Sequence, residues 1–381
     1  MKILHVSDLH IGKRVNEYSM LDDQRFALKQ ILSFVDEISP DAVIIAGDVY
    51  DKSVPSAEAV ELLDRFLFAL AEKKVECFII SGNHDSAERL AFCNRLIESS
   101  GIHISSAYNG EITPVTLEDE FGKVNFYPLP FIKPQTVKSF FGEDVSDYTQ
   151  AVGLCIEKMN IDRAERNVLI THQFVAGADR TESEEISVGG SDGVSASVFY
   201  DFDYVALGHI HRAQSVSRDH IRYSGTPLKY SFSESKDVKG AVIIDLKEKG
   251  DISFAFKEIK PLHDMVEIKG TYAELTARNF YENTTLREDY VKIVLTDEED
   301  VFDAAAKLRV IYKNYMKLSY DNARTRSSVD FDGVKKVEEK TPIELFGELY
   351  KIQNNAELSD EQREYISDII EKVWGTEDAA D

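Results

Sequence analysis

Five short segments of this 381-residue sequence carry residue types that bind metal ions. They are Asp8-Leu9-His10, Gly47-Asp48-Val49-Tyr50-Asp51, Gly82-Asn83-His84-Asp85, Thr171-His172 and Gly208-His209-Ile210-His211. Each segment follows a short apolar run of the kind that forms a buried β-strand. Because strand ends in a layered α/β protein form one rim where ligands collect, we expect these side chains to meet there.

The number of candidate ligands indicates the type of metal site. The seven candidates are Asp8, His10, Asp48, Asn83, His172, His209 and His211. A single tetrahedral zinc takes about four ligands. Seven ligands suit two ions that share a bridging carboxylate, about 3.5–4 Å apart. The imidazole, carboxylate and amide donors, without sulfur, favour Mn²⁺, Fe²⁺ or Zn²⁺ over a calcium site.

The backbone around these residues suggests how they reach the site. Glycines at 47, 82 and 208 allow a sharp turn before the next side chain. On an extended backbone Asp8 would face the same side as His10, and His209 the same side as His211. His84 is left over as a phosphate contact or proton donor.

Two aspartates and four histidines outside the seven candidates are expected to have supporting or structural roles. We expect Asp51 and Asp85 either to hydrogen-bond the ligands or to cap helices. The remaining histidines are expected to be structural or solvated, and they are His5, His103, His220 and His263.

Strands and helices alternate in the N-terminal part, as in an α/β layer with both sheet faces covered. The predicted elements are a strand over Lys2–Val6, a helix over Leu21–Ile38, a strand over Ala42–Ala46, a helix over Ala57–Glu72, a strand over Val75–Ile80 and a helix over Ala87–Glu98. Beyond Gly101 we predict strands over Val124–Leu129, Asn167–Thr171, Tyr204–Leu207, Ile221–Ser224, Ala241–Leu246 and Ile252–Glu258. This pattern predicts one large sandwich-like domain over residues 1–262.

The C-terminal part has a different organisation. Residues 263–323 predict a small β-α-β-α-β domain, and residues 324–340 a polar linker. The elements of the small domain are Val266–Lys269, a helix near Tyr272–Phe280, Val291–Leu295, a helix near Val301–Tyr315 and Lys317–Tyr320. Residues 341–381 predict two helices, Pro342–Gln353 and Ser359–Trp374, each preceded by a capping-box pattern. The fold class is therefore α/β (α+β).

Composition limits the classes of function. The chain has 44 Lys and Arg against 68 Asp and Glu, a formal net charge of −24. This balance argues against a broad basic surface for nucleic acid, but not against a small metal-lined site. No apolar stretch approaches 18 residues, and the three cysteines suggest neither a disulfide framework nor a Cys-based zinc site. We expect a soluble cytoplasmic protein.

The motifs DLH, GDVYD, GNHD, TH and GHIH, in this order, resemble those of the calcineurin-like metallophosphoesterases. The resemblance covers about residues 1–225. It implies a two-sheet β-sandwich flanked by helices around a dimetal centre. One ion would be held by Asp8, His10, Asp48 and His211, and the other by Asp48, Asn83, His172 and His209. Asp48 would bridge the ions, and His84 would lie at the scissile phosphate.

Within this superfamily the chain resembles the SbcD family, the nuclease subunits of bacterial SbcCD complexes. The resemblance rests on HVSDLHIGK, AGDVYDKSVPS, SGNHDSAERL, VALGHIHRAQ, YSGTPLKYSFSE and TPIELFGELYK. It implies a homodimer that joins two copies of an SbcC-like SMC-type ATPase and cuts DNA ends and hairpins near the nucleoid, with Mn²⁺ as the expected metal. Residues after about 264 would form a capping domain, and the C-terminal helices would bind the coiled-coil root of the ATPase.

Two alternatives remain open at this point. The first is another metallophosphoesterase, either a protein phosphatase or a nucleotide phosphodiesterase. Protein phosphatases carry Arg-Gly after GDxxD and Glu after GNH, where this chain has Lys52-Ser53 and Asp85. The second is a non-catalytic scaffold, which the complete ligand set disfavours. The Gly- and Ser-rich stretch Val175–Ala196 is expected to be a loop on the substrate or partner side, with a plain mobile insertion as the alternative.

Overall fold

The structure is a computed structural model that describes residues 1–105, 107–142, 145–181, 184, 192–327, 342–354 and 357–374. The chain forms two compact units, Met1–Met265 and Val266–Asp381. Within the described ranges, no helix combines the length and apolar character needed to cross a bilayer.

Two six-stranded sheets form the frame of the first unit. Its strands are β1 (Lys2–Val6), β2 (Arg14–Val15), β3 (Tyr18–Ser19), β4 (Ala42–Ala46), β5 (Glu76–Ile80), β6 (Ile102–Ile104), β7 (Val115–Asp119), β8 (Gly122–Leu129), β9 (Arg166–His172), β10 (Tyr204–Gly208), β11 (Gln214–Val216), β12 (Arg218–Tyr223), β13 (Gly240–Leu246) and β14 (Ile252–Glu258). The strand orders are β14-β13-β1-β4-β5-β6 and β11-β12-β10-β9-β8-β7, while β2 and β3 form a separate hairpin.

Parallel pairing brings the candidate ligands to one end of each sheet. In the first sheet β1, β4 and β5 run parallel, with Val6 opposite Ile45 and Ala46 opposite Ile80. In the second sheet β9 and β10 run parallel, with His172 opposite Gly208. All five candidate segments therefore lie at or just beyond the carboxyl ends of parallel strands, where ligands bind in such sheets.

The two sheets pack face to face through fully buried side chains from both. The ring of Phe78 on β5 stacks on that of Phe126 on β8 with centroids 4.3 Å apart. Ile3 and Ile44 from the first sheet, with Val168 and Tyr204 from the second, belong to the same apolar core. This core confirms the predicted two-sheet sandwich.

In the described part of the first unit six α-helices flank the sheets, and two of them were not predicted. The helices are α1 (Leu21–Ile38), α2 (Ala57–Glu72), α3 (Ala87–Leu90), α4 (Asn94–Ile97), α5 (Pro134–Phe141) and α6 (Tyr148–Lys158). The sequence interpretation missed α5 and α6, although α6 buries four residues at helical spacing and Asp147 caps it. The predicted helix over Ala87–Glu98 is interrupted, because Cys93 adopts a left-handed backbone conformation with φ of 63°.

The second unit contains the predicted β-α-β-α-β order. Its elements are β15 (Met265–Gly270), α7 (Tyr272–Thr276), α8 (Arg278–Tyr281), β16 (Tyr290–Leu295), α9 (Ala304–Ile311), β17 (Asn314–Tyr320), α10 (Ala323–Ser327), α11 (Pro342–Asn354) and α12 (Asp360–Trp374). The helix expected over Tyr272–Phe280 is two short helices, because Ala277 between them is extended with ψ of 130°. Most of the predicted linker, residues 328–340, lies outside the described residues.

The two tail helices occur where the sequence predicts them and contact each other. Ser359 and Gln362 form the predicted capping box, since the Ser359 hydroxyl accepts from the Gln362 N–H and the Gln362 side chain accepts from the Ser359 N–H. The Gln362 amide also donates to the Tyr350 hydroxyl at 3.2 Å. Thr341, the other predicted cap, lies outside the described residues.

Candidate metal centre

The seven candidate ligands lie together at the ends of the two sheets. Three overlapping sets have their ligand atoms within 4.8 Å of one another, and they are Asp8–His10–His211, His10–Asp48–His84 and Asp8–Asp48–His172. The Asn83 side-chain oxygen lies 3.1 Å from Nε2 of His172 and 2.9 Å from Nδ1 of His209. The structure thus brings together all seven residues and His84.

The backbone conformation that brings these side chains together is not the extended conformation that the sequence predicts. Asp8, His10, Asp48 and His209 have positive φ angles of 52°, 45°, 46° and 101°. The two pairs of alternating ligands therefore do not lie on extended strands. Non-glycine residues with positive φ are uncommon, and strain of this kind clusters at functional sites because the surrounding structure has to maintain it.

Glycines beside the ligands provide space as well as turns. Gly47 has a φ of 87°, which agrees with the predicted sharp turn. A Cβ atom on Gly82 would overlap the Asp48 carboxylate, although no positive φ occurs at Gly82. This glycine therefore permits close approach of the backbone to Asp48 rather than a left-handed turn.

Backbone amides orient the two carboxylates. The N–H of His209 donates to Oδ1 of Asp8 at 3.0 Å, and the N–H of His84 donates to Oδ1 of Asp48 at 2.9 Å. These bonds connect β1 to the loop after β10, and the loop after β4 to the loop after β5. Each carboxylate retains acceptor capacity because an ionised carboxylate has about four lone-pair sites.

Burial and mutual charge perturb the acidic and basic groups. Burial raises the pKa of Asp8 to about 6. Burial has the same tendency at Asp48, but the charge and hydrogen bond of His172 hold the Asp48 pKa well below its usual range. At His172 burial opposes protonation, yet Asp48 outweighs it and raises the pKa to about 9. Burial lowers the pKa of His209 to about 3 and that of His10 well below its usual value.

The donor geometry fits divalent cations. Nε2 of His10 and Nε2 of His211 lie 3.2 Å apart, and the Nδ1 atom of His10 has no hydrogen-bond partner among the described residues. Nε2 of His172 lies 3.3 Å from Oδ2 of Asp48. Buried imidazole and carboxylate groups that converge in this way are stable when they coordinate a metal, since buried charges require compensation. The mix of nitrogen and oxygen donors suits Mn²⁺, Fe²⁺ or Zn²⁺.

His84 is only partly buried, unlike the buried aspartates of the cluster. Its side chain is 24% exposed, whereas that of Asp48 is 3% exposed. Nδ1 of His84 lies 3.1 Å from the Asp51 carbonyl oxygen and therefore donates to it. Nε2 of His84 lies 4.0 Å from Oδ2 of Asp48. The ring of His84 is thus partly accessible beside Asp48.

Asp51 and Asp85 stabilise the loops that carry the ligands, and neither caps a helix in the described part of the chain. The Asp85 carboxylate accepts the N–H groups of Val49, Tyr50 and Gly82 at 2.8–3.0 Å. Oδ1 of Asp51 accepts from Lys13 at 2.7 Å and lies 3.7 Å from Nδ1 of His10.

Sequence reasoning missed two buried residues that contact His211. Oε1 of Glu234 lies 3.3 Å from Nδ1 of His211, and its Oε2 forms a 2.6 Å ion pair with Lys239. Lys239 also donates to the His211 carbonyl at 2.8 Å. Burial would raise the Glu234 pKa, but the His211 hydrogen bond and the Lys239 charge lower it to about 2. Glu234 is the last residue of the stretch YSFSE. The residue spacing in this stretch does not match a metal-ligand pattern, so the sequence alone did not identify Glu234.

The remaining predictions concern the stretch Val175–Ala196 and the histidines outside the candidate ligand set. Glu184, from the stretch Val175–Ala196, accepts the His211 N–H at 2.7 Å. Residues 182, 183 and 185–191 of this stretch lie outside the described residues. His5 is fully buried, and its Nδ1 lies 2.8 Å from the Tyr204 hydroxyl. Nε2 of His103 lies 2.7 Å from Oε2 of Glu76, and Nδ1 of His263 lies 3.1 Å from Oδ1 of Asp23.

Known proteins resemble the chain over its full length. Residues 1–213 match a family model described as calcineurin-like phosphoesterase, and residues 261–354 match one described as Type 5 capsule protein repressor C-terminal domain. The SbcD component of the SbcCD nuclease from Staphylococcus epidermidis is 33% identical over 385 aligned residues, which cover 99% of this chain and 100% of the relative. A dimetal phosphatase structure from Danio rerio is 12% identical, with a TM-score of 0.43, over 68% of this chain and 97% of its own.

Proposed function

This chain belongs to the calcineurin-like phosphoesterase family and, within it, to the SbcD components of SbcCD nucleases, and from this membership we propose that it cleaves DNA phosphodiester bonds. It is a metal-dependent phosphodiester hydrolase. The proposed substrates are double-stranded ends, for exonuclease cleavage, and single strands and hairpins, for endonuclease cleavage. We place this reaction in DNA end processing, repair and recombination at the nucleoid.

The observation that supports the proposal is the cluster of seven nitrogen and oxygen donors, five of them buried and two partly buried, with the partly exposed His84 beside it. We assign one ion to Asp8, His10, Asp48 and His211, and the other to Asp48, Asn83, His172 and His209. The proposed metal is Mn²⁺, which accepts this donor mix. Two ions bound there would lower the pKa of a water molecule and neutralise charge on the phosphate oxygens.

The protein groups have separate roles in this mechanism. Asp48 lies between the two ligand sets, and the His84 N–H keeps its carboxylate oriented. His84 itself donates from Nδ1 to Asp51, so its Nε2 remains available to the substrate. A protonated Nε2 would donate to the phosphate or to the leaving oxygen, which makes His84 the proposed catalytic residue. Glu234 and Lys239 keep the ring of His211 in one orientation.

A cleavage assay tests the activity. Purified chain is incubated with Mn²⁺ and end-labelled hairpin or blunt duplex DNA, with and without an SMC-type ATPase. Parallel reactions contain p-nitrophenyl phosphate, a monoester, and cyclic nucleotides. DNA products that disappear after chelation are expected. Hydrolysis of the monoester or the cyclic nucleotides without any DNA cleavage would instead favour the phosphatase or phosphodiesterase alternative.

The homodimer is part of the same proposal. Phe92 and Leu96, beside the interrupted helices α3 and α4, are 78% and 75% exposed. A second copy of the chain would cover both exposed apolar side chains in a two-fold symmetric contact. We therefore assign the dimer surface to the region of Phe92 and Leu96.

Sedimentation analysis of the Phe92→Glu and Leu96→Glu double variant tests the dimer surface. The expected result is a shift from dimer to monomer, because the charges would have to be desolvated in the contact. The control is Phe302→Glu, which replaces an 87% exposed residue of the second unit and should leave the dimer intact. A dimeric double variant would contradict the assignment.

A further inference from the structure

A small pocket opens directly beside the metal-ligand cluster. Asn83 and His209 form part of its wall, and the pocket has a volume of about 200 Å³. Pockets for drug-sized ligands usually measure about 300–1,000 Å³, so this one accommodates a single ring system. Nothing in the proposed hydrolytic mechanism uses the rest of its wall.

The wall is built to contact a flat ring. Phe131, Tyr148 and Phe174 line the pocket. Arg180 lies 3.4 Å from the centroid of the Phe174 ring and forms a 2.6 Å ion pair with Asp192, so the Phe174 ring is held in place. Aromatic side chains that line a nucleic-acid channel stack on bases, and every base has such a face.

The side-chain oxygen of a buried amide in the same wall lacks a hydrogen-bond partner among the described residues. Gln173 is fully buried and lines the pocket. Its Nε2 donates to the Ile132 carbonyl at 3.2 Å, which assigns the orientation of the amide. Its Oε1 accepts no hydrogen bond from any described residue. A buried acceptor in this state is costly, and a donor from a ligand would recover that free energy.

From these observations we infer that the pocket is a subsite for one unstacked nucleobase, adjacent to the scissile phosphate, whose exocyclic amino group donates to Gln173. The inference rests on the proposed DNA cleavage. Lys133, which is exposed at the pocket, supplies a positive charge for the phosphate of the same nucleotide. The nearby ligands Asn83 and His209 place this nucleotide next to the bond that is cut. Extruding a base from its stack costs least at ends and in single strands, which are the proposed substrates.

Paired DNA substrates test the hydrogen bond. Each strand carries, at one position near the main cleavage site, either adenine, unsubstituted purine without the 6-amino group, or an abasic residue. Cleavage by the full chain with Mn²⁺ is measured under single-turnover conditions. At one position, loss of the amino group should slow cleavage about 3- to 10-fold, the worth of one hydrogen bond. The abasic residue should slow it further, because stacking is lost as well.

The Gln173→Met variant tests whether Gln173 accepts the hydrogen bond from the amino group of the base. The variant should cleave the adenine and purine substrates at equal rates and remain sensitive to the abasic residue. Because the two cleavage rates are compared as a ratio, a general loss of activity in the variant does not affect the result. Gln30→Met on α1, outside the pocket wall, should keep the wild-type ratio.

Two results would overturn the subsite. One is the absence of any position where wild-type cleavage depends on the amino group, and the other is an unchanged ratio in Gln173→Met. Hydrolysis of bis(p-nitrophenyl) phosphate without any DNA cleavage is a different result. It would refute the proposed nuclease function itself, and the subsite with it.

Discussion

Asp48 connects the two halves of the candidate centre. Its carboxylate lies 3.3 Å from His172 and 3.7 Å from His10, so one residue from each proposed ligand set lies close to it. In two-metal hydrolases a shared carboxylate keeps the ions close enough to act on one phosphate.

Replacing Asp48 with Ala should therefore remove both metal retention and hydrolysis. We expect a loss of at least about 10³-fold in DNA cleavage, since charge stabilisation of the transition state is lost. Metal content by elemental analysis and cleavage by gel assay measure the two effects. The control is Asp64→Ala, which alters an exposed carboxylate on α2. Wild-type cleavage by Asp48→Ala would contradict the dimetal mechanism.

His84 should behave differently, because its accessible ring faces the substrate side. His84→Gln is expected to retain both metal ions and to lose about 10²–10⁴-fold in cleavage rate, the usual contribution of a proton donor. Elemental analysis of the purified variant accompanies the rate measurement. If one equivalent of metal were lost, His84 would have to be reassigned as a ligand, which its proximity to His10 and Asp48 allows.

At the scale of elements, β1 contains a histidine whose burial makes stability depend on pH. Burial lowers the pKa of His5 from 6.5 to about 3. The unfolded chain takes up a proton near pH 6.5, while the folded chain does not until about pH 3. Between these values the unfolded state binds more protons, so the contribution of His5 to stability falls as pH falls.

His5→Gln should weaken that dependence. Urea unfolding of metal-free protein between pH 7 and pH 5 should show a shallower decrease for the variant, by at most about 1.4 kcal/mol per pH unit for one proton. Above pH 7 the two proteins should have parallel stability curves. Identical slopes at acid pH would show that His5 is protonated in the folded state.

The helices of the sandwich show what the spacing of apolar residues can and cannot predict. The interpretation of α1 and α2 was right because each buries a clear apolar stripe. The helix over Ala87–Glu98 was predicted as continuous, but Cys93 interrupts it. The helical spacing of apolar residues does not predict such a break, because the left-handed backbone conformation of one residue depends on the loops around it.

At the scale of the whole molecule, the acidic charge and the C-terminal helices bear on assembly. Residues 342–381 contain 3 basic and 11 acidic residues. The helices α11 and α12 contact each other, yet Phe346, Leu349, Tyr365 and Ile369 remain 38–67% exposed. We propose that these exposed apolar side chains dock, helix in groove, on the coiled-coil root of an SMC-type ATPase, steered by a basic partner surface.

Truncation after Lys340 should therefore leave Mn²⁺-dependent cleavage intact and abolish co-elution with the ATPase. A full-length Tyr365→Glu and Ile369→Glu variant provides a milder test, since it keeps the chain length and adds charge to the apolar face. Size-exclusion chromatography at low and high salt measures both, and binding should weaken with salt. Unchanged co-elution of the truncated chain would show that the helices serve only to pack on each other.

Much of the site was predictable from the sequence by itself. Ligand types after apolar strands identified Asp8, His10, Asp48, Asn83, His172, His209 and His211 as candidates, and the structure brings them together. The capping box at Ser359 was equally predictable, because it depends on residues three positions apart. Local patterns of this kind are sufficient wherever the chain neighbours determine the conformation.

Only the tertiary structure decided how these residues act together. It placed Glu234 against His211, left the Gln173 oxygen without a hydrogen-bond partner among the described residues and set Asp8 and His10 at positive φ. It also replaced the expected extended backbone with strained turns that amides from distant strands stabilise. These features depend on residues up to about 200 positions apart, and no periodicity or spacing in a sequence encodes which buried groups meet when two sheets pack.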